Sequence, residues 1–152
     1  MQEVQSNHYE DYLRDELASC GYEGVYKKKT NELYVGKCSA SDGCATFYRT
    51  NKFDLIKKYE VEFNKAAVTT ANHFREPLKN AALQRLSKDN VAIIVVLESR
   101  EQLLSGERPL VCVANTHIHS IPENTDIKIW QVHTLLKGLE KIASRYDLPP
   151  SP

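Results

Sequence analysis

Two places in this chain carry residues that could do chemistry together. Glu3 stands in the opening run Met1-Gln2-Glu3-Val4, ahead of a helical pattern, and a strand-like run ends in Asn115-Thr116-His117-Ile118-His119. A carboxylate beside a strand-end histidine suits Mg²⁺ and phosphate, because Mg²⁺ takes one or two carboxylates and leaves its other positions to water and phosphate oxygens. His119 lies two residues beyond His117, so an extended chain would present both rings on the same side. A histidine pair would also suit a transition metal, but no third nitrogen or sulfur ligand lies nearby, and Mg²⁺ prefers oxygen.

Composition bounds the scaffold that must position these groups. The 152 residues are 41% apolar and 26% charged, the size and balance of one soluble domain that can bury a sizeable core. Val91 to Leu97, the longest apolar run, is about a third of the roughly 20 residues a bilayer span needs. The N-terminus lacks the basic-then-apolar order of a signal peptide, so no membrane association and a cytoplasmic or nuclear location are expected. Cys20, Cys38, Cys44 and Cys112 are scattered without a C-x-x-C pair, which argues against a zinc site and against a disulfide framework. Twenty basic residues balance twenty acidic ones. Contact with nucleic acid would therefore come from a local site rather than a global field.

The periodicity predicts a helix over His8 to Cys20, with Tyr9, Tyr12, Leu13 and Leu17 on one face and Gly21 as its stop. Gly21 to Lys28 fits a short strand, Thr30 to Asp42 a loop, and Gly43 to Arg49 a strand. Lys58 to Phe63 alternates, with Tyr59, Val61 and Phe63 opposite Lys58, Glu60 and Glu62, and is expected to pair antiparallel with Gly43 to Arg49. Asn64 to Asp89 reads as a long loop with a helical stretch near Leu78 to Leu86. Asn90 to Leu97 is expected to be a strand buried on both faces, and Leu110 to Thr116 the next central strand. A long helix follows over Thr125 to Tyr146, its core stripe drawn through Ile129, Val132, Leu136, Leu139 and Ala143 and widened by Trp130, Leu135 and Ile142. His8, His73 and His133 fit surface or packing roles. Tyr48-Arg49 and Lys57-Lys58 fit an RNA backbone or a solvated strand face equally well.

Five segments then carry a resemblance: Met1-Gln2-Glu3-Val4-Gln5, Asp42 to Arg49, Tyr59 to Asn64, Asp89 to Ala92, and Val113 to His119. In order and spacing they resemble the catalytic domain of carbon-catabolite-repressor-type poly(A) deadenylases, of the endonuclease/exonuclease/phosphatase superfamily. The likeness runs from Met1 to about Ala143, and Trp130 to Ala143 is similar to plant-type members. The resemblance implies an α/β (α+β) fold, a four-layer α/β/β/α sandwich. It also implies a Mg²⁺-dependent hydrolase that removes adenylates from the 3′ end of messenger RNA. Poly(A) RNA would be its substrate, and scaffold subunits of a deadenylase complex its partners.

By that resemblance Glu3 corresponds to the metal-binding glutamate and His117 to the catalytic histidine that faces the scissile phosphate. Pro122 falls where the family packs a proline against the terminal base, although Ser120 and Ile121 replace the Trp-Asp of many animal members. Asn90 is a candidate for a phosphate contact or a turn-capping role.

The chain departs from the family pattern at both ends. Its Met1 stands where relatives carry Leu, and the Asp-x-Asn and Ser-Asp-His segments expected after the last helix do not occur. The sequence is thus expected to be a partial domain over residues 1–147 with a Pro-rich tail over 148–152, the N-terminal half of a nuclease. Two functions follow: an exoribonuclease acting in a longer form, the fragment alone being inactive, or a non-catalytic module that binds RNA or a partner. The opposing sheet is expected not to be encoded here, so the inner faces of the strands Val91 to Leu97 and Leu110 to Thr116 are expected to show apolar side chains to water.

Overall fold

A computed structural model of the chain describes residues 1–30 and 42–147. The loop expected over Thr30 to Asp42 and the tail over 148–152 therefore fall almost wholly outside the described residues. Strand β1 (Val4–Gln5) leads into helix α1 (Ser6–His8), a π-helical stretch over Tyr9–Leu13, and helix α2 (Arg14–Ser19). Gly21 follows in the left-handed conformation (φ 79°) that glycine adopts without a Cβ penalty. Strands β2 (Tyr22–Lys28) and β3 (Asp42–Arg49) complete the first sheet, in the order β1-β3-β2, all antiparallel. Strands β4 (Phe53–Glu62), β5 (Val91–Ser99) and β6 (Leu110–Thr116) form a second antiparallel sheet in that order. Helices α3 (Phe63–Ala71), α4 (Leu78–Leu86) and α5 (Thr125–Arg145) complete the elements.

The two sheets face each other. Val25, Cys44 and Tyr48 from the first meet Ile93, Val95 and Leu97 from β5, with Phe53, Leu55 and Val113 at the margin. The alternate residues of β5, Ala92, Ile94 and Val96, pack outward on Phe63 of α3 and on Leu135 and Ile142 of α5. A third cluster of Val4, Tyr9 and Ala45 lays the N-terminal helix on the outer face of the first sheet. Period-two alternation along β5 thus serves two layers at once. Seven consecutive residues, Val91 to Leu97, are buried, each large one contributing roughly 1.5–3 kcal/mol. Lys27 ties the sheets at one side, its ammonium 2.6 Å from Glu62 and 2.8 Å from Glu60 of β4.

The fold is the expected four-layer arrangement, with one correction of consequence: strands from both sheets are encoded in this chain. The inner face of β5 is covered by β2 and β3 and does not face water. Five local expectations also change. Lys58 to Phe63 belongs to β4, which pairs with β5 and not with Gly43 to Arg49, because the turn at 50–52 carries the chain from one sheet to the other. Asn64 to Asp89 is not a long loop, since α3 fills its first third and buries Phe63, Asn64, Ala67 and Ala71. Among the described residues β6 lies at a sheet edge, paired with β5 alone. The buried stripe of α5 runs through Ile127, Gln131, Leu135 and Ile142, which leaves Ile129 65% exposed and turns Val132 and Leu136 outward with it. Likewise Tyr12 is exposed while Tyr9 is buried. No helix among the described residues is long and apolar enough to cross a membrane.

Candidate active site

The N-terminal segment crosses the gap between the ends of the two sheets. On one side Val4 pairs with Gly43, and the Ala45 N–H donates to the Met1 carbonyl at 3.0 Å. On the other, Asn115 of β6 points inward and its amide donates to the carbonyls of Met1 and Ala45, both at 2.9 Å. The Gln2 amide donates to the Thr116 carbonyl. Gly43 lets this corner close, because a Cβ there would come within 2.2 Å of the Lys27 carbonyl oxygen. Held between these contacts, Glu3 has a left-handed backbone (φ 54°), a conformation that costs a non-glycine residue about 1–2 kcal/mol. Strain of this kind persists where the surroundings dictate it, and it gathers at functional sites. Its carboxylate is 68% exposed.

His117 follows β6 directly and meets Glu3 at the rim. Its Nδ1 lies 3.4 Å from Glu3 Oε1, inside ion-pair range, yet the geometry makes no hydrogen bond, and this buried nitrogen has no other partner among the described residues. An unpaired buried polar atom is rare in folded proteins and calls for an explanation. Burial pushes the neighbouring Cys44 thiol up, and the His117 N–H it accepts offsets part of that.

Behind the rim lies a network in which each contact is made. The Asn90 amide donates to the His117 carbonyl at 2.9 Å. Gln131, wholly buried on α5, donates to Asn90 Oδ1 at 3.0 Å and accepts the His119 N–H at 2.8 Å. The His119 ring meets the Asn124 amide through Nε2 at 2.8 Å. Burial depresses the His119 pKa, aided by the positive charges of Lys88, Lys128 and Arg85. The neutral ring leaves Nε2 free to accept from the Asn124 amide.

Of the residues singled out in the sequence, Glu3 and His117 come together. Pro122 stands exposed on the loop that follows. Asn90 is buried, with its amide nitrogen and oxygen both committed inside the protein, an arrangement that suits holding the loop better than contacting phosphate. His119 is not turned with His117 onto a shared ion, since its Nε2 is taken by Asn124. Among the described residues no three His, Cys, Asp or Glu side chains gather into a metal cage. A single exposed carboxylate beside an orphaned imidazole nitrogen does fit a hard cation carried mainly by water and phosphate oxygens. Gln131 has no counterpart in the sequence reading. Its signal is an i, i+4 ladder through residues 127, 131 and 135, which a polar residue in the middle conceals.

No protein-family model matches the chain. It is 53% identical, over 98% of its length, to carbon catabolite repressor protein 4 homolog 1 of Arabidopsis thaliana. It is 38% identical over its whole length to the CCR4-Not complex 3′-5′-exoribonuclease subunit Ccr4 of Mycosarcoma maydis. It spans 26% and 22% of those two proteins, so it is about a quarter of their length. The crystal structure of ANGEL2, a 2′,3′-cyclic phosphatase, superposes with a TM-score of 0.71 at 32% identity, over 97% of this chain and 34% of that one. Two packed antiparallel sheets, helices on both outer faces and these relatives agree. The chain belongs to the carbon-catabolite-repressor-type branch of the endonuclease/exonuclease/phosphatase superfamily.

Proposed function

We propose that this chain contributes the metal-binding carboxylate and the phosphate-facing histidine of a Mg²⁺-dependent, poly(A)-specific 3′–5′ exoribonuclease. One observation carries the reading: Glu3 and His117, more than 110 residues apart in sequence, meet at 3.4 Å with the imidazole Nδ1 left without a hydrogen bond. Glu3 would hold the ion, which when bound would neutralise phosphate charge as water attacks in line. His117 would stabilise charge on the phosphate or protonate the leaving oxygen. Pro122 offers an exposed ring to the terminal base. The Mycosarcoma maydis relative is named as a 3′-5′-exoribonuclease subunit of the CCR4-Not complex, which supports RNA as the substrate class and scaffold subunits of a deadenylase complex as partners; poly(A) RNA is the substrate this reading assigns. A cytoplasmic and nuclear location belongs to the same reading and is checked by imaging the tagged full-length protein.

One carboxylate fixes Mg²⁺ poorly by itself, so the 152-residue chain alone is expected to be inactive. The test is shortening of labelled oligo(A), with Mg²⁺ and with chelator, by the full-length protein (a longer form that carries this chain within a complete domain), by its Glu3→Gln variant and by the chain alone. Mg²⁺-dependent shortening by the full-length protein, lost in the variant, supports the reading. RNA ending in a 2′,3′-cyclic phosphate is assayed in parallel, because the ANGEL2 likeness makes terminal phosphate removal the competing chemistry. Binding of RNA or a partner without turnover of either substrate would favour the non-catalytic module.

A further inference from the structure

We propose that Gln131, acting through Asn90, is a positioning residue that holds the His117–His119 segment so that the His117 imidazole faces Glu3. The proposal rests on the functional reading above and adds a residue and a route to it. Three bonds make the clamp. Gln131 accepts from the His119 N–H at 2.8 Å and donates to Asn90 Oδ1 at 3.0 Å, while Asn90 donates to the His117 carbonyl at 2.9 Å. The segment is therefore gripped at two main-chain atoms two residues apart, one a carbonyl and one an N–H. The two anchors come from different elements, the lead into β5 and the N-terminal third of α5.

The location is informative. Gln131 is fully enclosed on the stripe of α5 that otherwise carries Ile127, Leu135 and Ile142 into the core. A leucine would pack there without the desolvation penalty of an amide. It would also strand the His119 N–H and Asn90 Oδ1. A glutamine that spends one end of its amide on the loop and the other on Asn90, which holds the same loop, is placed for that loop and not for the helix. A merely structural glutamine would govern how tightly α5 sits on β5; a positioning one also governs where the imidazole lies. An error of about 1 Å in a reacting group can cost on the order of 100-fold in rate.

The two roles separate by experiment. In the chain, nuclear Overhauser contacts are recorded between the His117 ring protons and the Glu3 side chain, with contacts between Phe63 and Trp130 as the internal standard of folding. In the full-length protein, kcat and KM are measured on oligo(A). Gln131→Leu is expected to abolish the His117–Glu3 contact, preserve the Phe63–Trp130 contacts, and lower kcat about 10- to 100-fold with KM within about twofold. Gln131→Glu keeps the acceptor for the His119 N–H but sets a buried oxygen against Asn90 Oδ1, so it too should release Asn90 and lose the His117–Glu3 contact. Ile129→Ala, on the exposed face of the same helix, should change neither readout. If Gln131→Leu does not fold, Asn90→Asp cuts the final link of the clamp and is read in the same way. A folded variant that keeps the contact overturns the proposal, as does one that raises KM while leaving kcat intact. Should the wild-type full-length protein degrade no RNA, the functional reading fails, and the His117–Glu3 contact alone still decides the positioning role.

Discussion

Two carboxylates in this chain share a backbone conformation and little else. Glu3 (φ 54°) and Asp89 (φ 58°) both lie in the left-handed region. Asp89 is buried, its Oδ1 accepting from Thr30 and from Asn64 at 2.7 Å each, while its own N–H donates to Asn64 Oδ1 at 3.0 Å. These bonds offset the strain and set the turn that feeds β5. Strained Glu3 holds its carboxylate outward beside an imidazole nitrogen that nothing else among the described residues satisfies. Equal backbone cost therefore supports folding at one site and leaves polar groups uncommitted at the other. On the function proposed above, a bound cation and phosphate would complete the second arrangement.

The largest effect that could break this contrast is catalytic. In the full-length protein Glu3→Gln should lower turnover of oligo(A) by about 10²- to 10³-fold, the roughly 3–4 kcal/mol that one placed charge-stabilising group is worth. His117→Ala should cost far more than His119→Ala, since His119 is committed to Asn124 and Gln131. A larger loss for His119→Ala would show that the wrong histidine has been given the phosphate.

Stability should respond in the opposite sense. Asp89→Gly relieves the backbone and removes two hydrogen bonds to a charged acceptor, each worth about 1.5–3 kcal/mol, against about 1–2 kcal/mol of relief. A net loss of about 1–5 kcal/mol is expected in chemical denaturation. Glu3→Gly relieves the same strain and forfeits no hydrogen bond, so it should leave stability unchanged or raise it by up to about 1 kcal/mol. If Glu3→Gly destabilises as much as Asp89→Gly, the rim is a structural corner and its strain says nothing of function.

The sequence made some of this legible and concealed the rest for identifiable reasons. Seven β-branched or aliphatic residues in a row announced β5, and no other element competes for that pattern. Helix α3 was hidden because Phe63 completes the alternation of Tyr59 and Val61, so the strand pattern runs one residue into the helix. The pairing of β4 is not legible because consecutive strands usually pair, and here the turn after Arg49 changes sheets. The phase of α5 went astray at Gln131: a polar residue within the buried stripe made the exposed line through Ile129, Val132 and Leu136 look more continuous. Glu3 and His117 were legible as residue types in a motif. Their left-handed backbone and orphaned nitrogen were not, because both follow from long-range contacts of Met1 and Gln2 with β3 and β6.

The smallest effect concerns pH and sharpens the contrast between the two histidines. Burial and nearby Lys88, Lys128 and Arg85 hold the folded-state pKa of His119 below its ordinary value of about 6.5. The unfolded chain therefore binds a proton more readily than the folded one as pH falls through that range. The sign follows from linkage: stability tied to His119 is fully present above about pH 6.5, declines below it, and is lost once pH has fallen through the depressed folded value. The Asn124–His119 contact should break in the same window, because a protonated Nε2 no longer accepts. Denaturation midpoints of wild type and His119→Gln measured between about pH 7 and pH 5 provide the check. Wild type should lose more than the variant across that interval, since glutamine has no proton to gain. Parallel curves would mean that His119 titrates alike in both states, and the buried network behind the rim would then not depend on a neutral ring.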